Sequence, residues 1–191
     1  MADGLHYLHS SNIVHGDLKG VSRLILHPHL LPESDTNPTN QKENVLIDKH
    51  GHARLTGFWL TSIISDNSVP SPKDPDLEHT RTWAAPEILR GGPVSKEGDV
   101  FTFAMVAVEV CTREVSDGRF GLAASEQIFT GHAPFLSTFP AAVFDIMAGK
   151  RPPRPETMRH DGLWEIIERC WSQEPMKRPT ASELLEFFRT S

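Results

Sequence analysis

The sequence has few cysteines, and their spacing excludes the two structures that cysteines most often build. Only Cys111 and Cys170 occur among 191 residues, and they form no Cys-x-x-Cys pair. A disulfide framework needs more cysteines, and a thiolate zinc site needs them at close, regular spacing. Both thiols are therefore expected to be reduced, as is usual inside the cell.

A long hydrophobic run and a targeting signal are also missing. The longest apolar run, Val100 to Val110, contains Thr102 and Glu109, and it falls short of the ~20 residues that span a bilayer. The first residues show no basic region followed by an apolar one, so no signal peptide is expected. These absences predict an intracellular, cytoplasmic chain without a membrane partner.

Positive charge is not in excess. Lys and Arg total 19 against 25 Asp and Glu, which gives a net charge of −6, and the basic residues are scattered along the chain. Domains that bind nucleic acid usually gather their basic residues on one face. No nucleic-acid partner is expected, and the length fits one domain with a core of its own.

The most informative stretch of the sequence lies near its N-terminus. Residues 15–20 read HGDLKG, and after an interruption residues 43–47 read ENVLI. Together these letters resemble the catalytic loop of the protein kinases, His-Arg-Asp-Leu-Lys-x-x-Asn, followed by a strand. In that family the Asp accepts the proton of the attacking hydroxyl, and the Asn holds a magnesium ion.

The resemblance implies a role for each matching residue. Asp17 would be the catalytic base, and Lys19 would be the phosphate-facing lysine. Asn44 would be a metal ligand and, with Leu46, would contact the nucleotide. His15 would pack as a structural residue rather than ligate a metal.

Two further letters place the chain within the superfamily. Gly16, in place of the usual Arg, resembles the tyrosine-kinase-like branch, and it removes the cation that would bind a phosphorylated activation loop. Lys19 and Thr80 are what serine/threonine-specific members carry. The resemblance therefore implies phosphorylation of Ser or Thr on protein substrates, with ATP and magnesium as cofactors.

The second metal-binding motif of the family is altered in this chain. Kinases read Asp-Phe-Gly after the strand pair that follows the catalytic loop, and the Asp of that motif grips magnesium. Here the letters are Gly57-Phe58-Trp59. Phe58 is kept as a structural residue, but Gly57 has no side chain with which to bind an ion.

Two distant pairs carry the resemblance further along the chain. Ala85-Pro86-Glu87 resembles Ala-Pro-Glu of the kinases, whose Glu pairs with an Arg that Arg178 matches. Asp99, at the start of an apolar run, matches the Asp that hydrogen-bonds the backbone of the catalytic loop. Without the family, Glu87 would be an ordinary acid in a first helical turn and Asp99 a plain helix cap.

Periodicity predicts the secondary structure around these motifs. Helices are expected over 1–11, 97–110, 141–148 and 163–170, and a Thr180-x-x-Glu183 capping box should open a last helix. Short strands at 45–47 and 53–56 should form a hairpin. The predicted fold class is mainly α, the C-terminal (large) lobe of the protein-kinase fold with a short β-hairpin pair near the catalytic loop.

The resemblance covers residues 1–191 as a fragment of one kinase domain. The Gly-rich loop and the lysine strand of the N-terminal lobe are not found, so that lobe is expected to be absent. Segments 21–42 and about 110–127 are extra relative to the family. The first has no sustained period and is expected to be a structureless loop, and retained introns are one hypothesis for both.

Two histidine pairs have a spacing that metal ligands can share. His6 and His9 lie one helical turn apart, and His50 and His52 flank a glycine in a turn. Neither pair has a third ligand at a fixed spacing, so a helix face and a turn surface are the favoured interpretations.

Three functional hypotheses stay open on the sequence. The chain could be part of a serine/threonine kinase with Asp17 as its base. It could be a catalytically dead pseudokinase lobe that presents the helices after residue 130 to a protein partner, or a truncated product without a function. Gly57 and the unmatched lysine strand favour impaired or absent catalysis.

Overall fold

The computed structural model describes residues 1–23, 44–48, 50, 52–58, 62–63, 81–112, 140–156 and 158–190. Within these residues the chain is mainly helical with short strands, which confirms the mainly α part of the predicted fold class. The helices are α1 (Ala2–Ser10), α2 (Pro86–Leu89), α3 (Lys96–Thr112), α4 (Ala141–Met147), α5 (Asp161–Cys170) and α6 (Ala181–Thr190), with a 3-10 turn at Pro175–Lys177. The strands are β1 (Ile13–Val14), β2 (Val21–Arg23), β3 (Val45–Ile47), β4 (Ala53–Leu55) and β5 (Ser62–Ile63).

The strands of the described residues form two small sheets. The predicted hairpin is present: β3 and β4 run antiparallel, with Val45 opposite Leu55 and Ile47 opposite Ala53. Asp48 stabilises its turn, because one carboxylate oxygen accepts hydrogen bonds from the backbone N–H groups of His50 and His52, both at 2.9 Å. In the second sheet β1 pairs antiparallel with β5.

The prediction of a structureless segment over 21–42 is wrong at its start. Val21–Arg23 forms β2 and pairs in parallel with β3, with Val21 opposite Val45. The reason is a backbone hydrogen bond of 2.9 Å from the N–H of Asn44 to the carbonyl of Lys19, which brings the two ends of the segment side by side. Residues 24–42, Thr80 and Trp59 lie outside the described residues.

Helix α3 is the centre of the hydrophobic core. Its residues from Val100 to Val106 are all almost completely buried, as expected for a helix that is apolar on nearly every side. Helix α5 packs against α3, and α1 packs against α6. Helix α3 extends to Thr112, so the first residues of the predicted extra segment 110–127 continue it.

The C-terminal helices follow the sequence pattern closely. Ile166, Ile167 and Cys170 lie on the buried face of α5. The predicted capping box opens α6: Glu183 Oε2 accepts from the N–H of Thr180 at 2.7 Å, and Thr180 Oγ1 accepts from the N–H of Glu183 at 3.2 Å. Among the helices of the described residues, none has the length and apolarity needed to cross a membrane.

Candidate active site

The loop after β1 is held in place by one buried carboxylate on α3. Asp99 Oδ2 accepts from the N–H of His15 and Oδ1 from the N–H of Gly16, both at 2.8 Å. Gly16 has a φ of 77°, a conformation that glycine adopts without a steric penalty. The backbone contact expected of Asp99 is therefore present.

His9 takes part in this arrangement, although the sequence analysis gave it no role beyond a helix face. Its Nε2 lies 2.9 Å from Asp99 Oδ2, and both side chains are buried. A usable signal was present in the sequence, since His9 lies four residues after the buried Leu5 and shares its helix face.

His15 connects the loop to the segment after β4. Its ring is fully buried, and Nε2 lies 2.8 Å from the carbonyl oxygen of Thr56. The N–H of Asp17 donates to Nδ1 at 3.3 Å, so a proton on Nε2 satisfies both contacts. Phe58, which is half exposed, packs its ring 5.1 Å from the ring of His15.

Asp17 carries the central carboxylate of the site, and it is buried. Lys19 Nζ lies 3.3 Å from its Oδ2. Asn44 Nδ2 donates to the same oxygen and to the backbone carbonyl of Asp17, each at 2.6 Å. Burial raises the pKa of Asp17, while Lys19 and Asn44 act in the opposite direction.

The structure thus brings Asp17, Lys19 and Asn44 together despite the interruption between residues 20 and 43. The backbone of Asn44 is fixed on both sides: its N–H donates to the carbonyl of Lys19 at 2.9 Å, and its carbonyl accepts from the N–H of Thr56 at 3.0 Å. Leu46 follows in β3, opposite Arg54 of β4, and is partly buried.

Gly57, at the position of the kinase metal-binding Asp, lies against the side chain of Asn44. Its φ is 77°, and a Cβ built on it would overlap the carboxamide oxygen and carbon of Asn44. The described residues contain no cluster of three or more His, Cys, Asp or Glu side chains that could hold a metal ion. Magnesium prefers several oxygen ligands in octahedral geometry, and Gly57 offers no side-chain oxygen, so these residues do not provide the pair of side-chain ligands that the resemblance implies.

Glu87 and Arg178 form the pair that the sequence analysis expected. Arg178 Nη1 donates to Glu87 Oε1 at 2.6 Å and Nη2 donates to Oε2 at 2.8 Å, a bidentate geometry. The guanidinium is completely buried and lies 5.0 Å from the ring centre of Phe101. The pair ties α2 to the residues that follow the 3-10 turn.

A second buried polar contact was missed by the sequence analysis. Trp83 Nε1 donates to Glu109 Oε2 at 2.9 Å, and both residues are almost fully buried. The signal was an acid within an otherwise apolar helix, since a buried carboxylate requires a donor. The contact fixes the segment before α2 onto the core helix.

A family model described as "Protein tyrosine and serine/threonine kinase" matches residues 41–188 of this chain. Among curated proteins, the chain is 27% identical over 186 residues to serine/threonine-protein kinase STY17 of Arabidopsis thaliana, which covers 97% of this chain. It is 25% identical over 185 residues to serine/threonine-protein kinase STY46 of the same plant. The chain spans only 25% of the length of STY17 and 24% of STY46.

Proposed function

The chain belongs to the protein tyrosine and serine/threonine kinase family, and from that premise we propose that it is a C-terminal kinase lobe of serine/threonine type that binds a protein partner and does not itself transfer phosphate. The observation that carries the proposal is Gly57, which offers no carboxylate where the family binds its metal. A place in the tyrosine-kinase-like branch is supported by Gly16, and the serine/threonine type is supported by the similarity to STY17 and STY46.

The C-terminal-lobe assignment is supported by two long-range contacts and one local hairpin. Asp99 accepts from the backbone of the loop that carries Asp17. Glu87 pairs with Arg178 across 91 residues of sequence. A short antiparallel hairpin follows Asn44. Each of these is what the motifs of the family imply for this lobe, and together they argue for one kinase-like unit.

Loss of catalysis follows from the chemistry of phosphoryl transfer. The reaction depends on positioning and on neutralising the charge of the phosphates, for which kinases use two magnesium ions. In other enzymes, removing one preorganised electrostatic group typically lowers the reaction rate by a factor of about 10²–10³. In this chain one ligand position is Gly57, and the amide of the other, Asn44, is hydrogen-bonded to Asp17.

A protein-binding role is the remaining use of a folded kinase lobe, as the sequence analysis anticipated for the helices after residue 130. Phe144 on α4 is 68% exposed and Met176 in the 3-10 turn is 87% exposed. Exposed aromatic and Met side chains are common at protein interfaces. The identity of the partner and an intracellular location stay predictions.

The first test of the proposal is nucleotide binding. Melting temperatures of the purified chain are compared in buffer, with MgCl2 alone, with ATP and MgCl2, and with ATP and EDTA. A ligand at 100 times its Kd would stabilise the fold by about 2.7 kcal/mol, which would raise the melting temperature by roughly 5–11 °C in a domain of this size. We expect no magnesium-dependent shift with ATP, and a shift of that size would overturn the proposal.

One observation favours the second candidate, a phosphotransferase. The side chains of Lys19 and Asn44 both contact Asp17, although 22 extra residues separate Asn44 from the rest of the motif in sequence. If transfer of label from γ-labelled ATP to a protein substrate is observed, Asp17→Asn decides its origin. Transfer that is lost in Asp17→Asn would assign Asp17 as the base that accepts the hydroxyl proton.

A further inference from the structure

We propose that Asn44 and Gly57 form an interlocked pair, in which the carboxamide of Asn44 occupies the volume that a side chain at position 57 would need and donates its hydrogen bonds to Asp17. The proposal goes beyond lost catalysis, because it makes Gly57 a requirement of the fold rather than only a lost ligand.

The first step is steric. A Cβ at position 57 would overlap the Oδ1 and Cγ atoms of Asn44, and the φ of 77° is itself unfavourable for any residue with a Cβ. The space that a ligand side chain would need at position 57 is therefore filled by Asn44.

The second step is that Asn44 is not free to move aside. Its side chain is almost fully buried, and its Nδ2 donates two hydrogen bonds of 2.6 Å to Asp17. Its backbone is bonded to Lys19 on one side and Thr56 on the other. Moving the carboxamide would break both of these buried hydrogen bonds to Asp17, which is costly.

The third step concerns charge. In the kinases the acidic groups of this region are balanced by metal ions. Here Asp17 is balanced within the chain, by the ammonium of Lys19 at 3.3 Å and by the amide of Asn44. A carboxylate restored at position 57 would therefore meet an occupied volume and gain no vacant cation position.

The chain offers matched control glycines for this proposal. Gly91 and Gly149 also have positive φ, at 90° and 84°, but a Cβ added to either would meet nothing within 4 Å. Alanine at these two positions incurs the backbone strain alone, whereas alanine at position 57 adds the overlap with Asn44.

The test compares urea unfolding midpoints of Gly57→Ala, Gly91→Ala and Gly149→Ala in the full chain. We expect Gly57→Ala to lower the midpoint clearly more than either control. In an Asn44→Ala background the effect of Gly57→Ala should fall to the level of the controls, since truncating Asn44 removes the overlapping atoms. If Asn44→Ala does not fold, Asn44→Ser replaces it, because its hydroxyl keeps a donor in a smaller volume.

Two results would overturn the interlock. One is that Gly57→Ala lowers the urea midpoint of the native chain no more than Gly149→Ala does. The same conclusion follows if Gly57→Ala lowers the midpoint equally with and without truncation of Asn44. The other is a magnesium-dependent rise in the melting temperature of Gly57→Asp with Asn44 intact, measured with MgCl2 alone. Both differ from the outcomes that contradict lost catalysis, which are binding of ATP with magnesium by the native chain and transfer of label that Asp17→Asn abolishes.

Discussion

The ionised carboxylate of Asp17 depends on two neighbours, one charged and one neutral. An unpaired charge in a protein interior is strongly unfavourable, whereas a paired and hydrogen-bonded one can be accommodated. Lys19 supplies the opposite charge and Asn44 supplies a hydrogen bond to the same oxygen. Burial nonetheless raises the pKa of Asp17 above its ordinary value. The site therefore retains a cost of ionisation that Lys19 partly offsets.

This cost predicts a pH-dependent effect of Lys19→Met, which keeps most of the side-chain volume and removes the charge. At about pH 7 the variant should lose about 3 kcal/mol of stability, because the buried carboxylate loses its partner. The pKa of Asp17 is already raised in the fold, and the substitution raises it further. The loss of stability in the variant therefore grows as the pH rises above the pKa of Asp in the unfolded chain, and it shrinks toward about pH 4. Urea unfolding at both pH values measures the difference.

Lys150→Met is the matched control for this experiment. Lys150 is 69% exposed and forms a surface ion pair with Asp145, so its loss should cost less than about 1 kcal/mol. A Lys19→Met effect that is the same at both pH values would show that Lys19 acts through packing rather than through the charge of Asp17.

At the scale of the elements, the ion pair between Glu87 and Arg178 joins parts of the fold that are far apart in sequence. Arg178 also donates to the backbone carbonyls of Ser172 and Glu97, both at 2.9 Å. Its guanidinium is fully buried, while Glu87 is 26% exposed. The pair therefore fixes α2, the start of α3 and the segment before α6 relative to one another.

Glu87→Ala is predicted to destabilise the fold by about 3–5 kcal/mol, because it leaves the buried charge of Arg178 without a partner. The pair of Glu174 with Lys177 provides the control, since both of its side chains are about two-thirds exposed. Glu174→Ala should cost no more than about 1 kcal/mol. Urea unfolding of both variants makes the comparison, and equal effects would contradict the buried-clamp interpretation.

The elements with a long or strongly coded pattern could be predicted from the sequence. Helix α3 was recognisable because its own residues are apolar on nearly every side. Helix α6 was recognisable because Thr180 and Glu183 form a capping box. The pairings of β1 with β5 and of β2 with β3 were not, because these strands are not joined by a short turn such as the one that indicated the hairpin of β3 with β4. Their formation depends on contacts between distant segments.

The residues of the site could be predicted from the sequence, but the arrangement of their side chains could not. The motif identified Asp17 and Asn44 as neighbours in function, and their catalytic roles stay predictions. That Asn44 faces Gly57 and donates to Asp17 depends on side-chain orientation, which no spacing encodes. For His9 the helix face shared with Leu5 indicated burial, but its contact with Asp99 could not be predicted because the two residues lie 90 apart in sequence.

At the scale of the whole molecule, the interruption after Gly20 begins and ends at neighbouring points of the fold. The N–H of Asn44 already donates to the carbonyl of Lys19 at 2.9 Å. Excision of residues 21–42 would place these two residues three apart, so that this hydrogen bond would become that of an ordinary β-turn.

We therefore predict that a chain without residues 21–42 folds. Shortening the separation between Lys19 and Asn44 from about 25 residues to about 3 removes roughly three doublings of length, or about 2 kcal/mol of closure entropy. The deletion also removes β2 and its pairing with β3. A second variant, in which a Gly/Ser linker of equal length replaces 21–42, loses β2 as well but keeps the long loop.

Comparison of the two variants isolates the effect of loop length. The deletion should be more stable than the linker variant by about 2 kcal/mol in urea unfolding. If the deletion is the less stable of the two, Gly20 and Glu43 cannot be joined without distorting the loop that carries Asp17, and the segment is part of this lobe. If the prediction holds, segment 21–42 is an insertion that the described fold does not need for its stability.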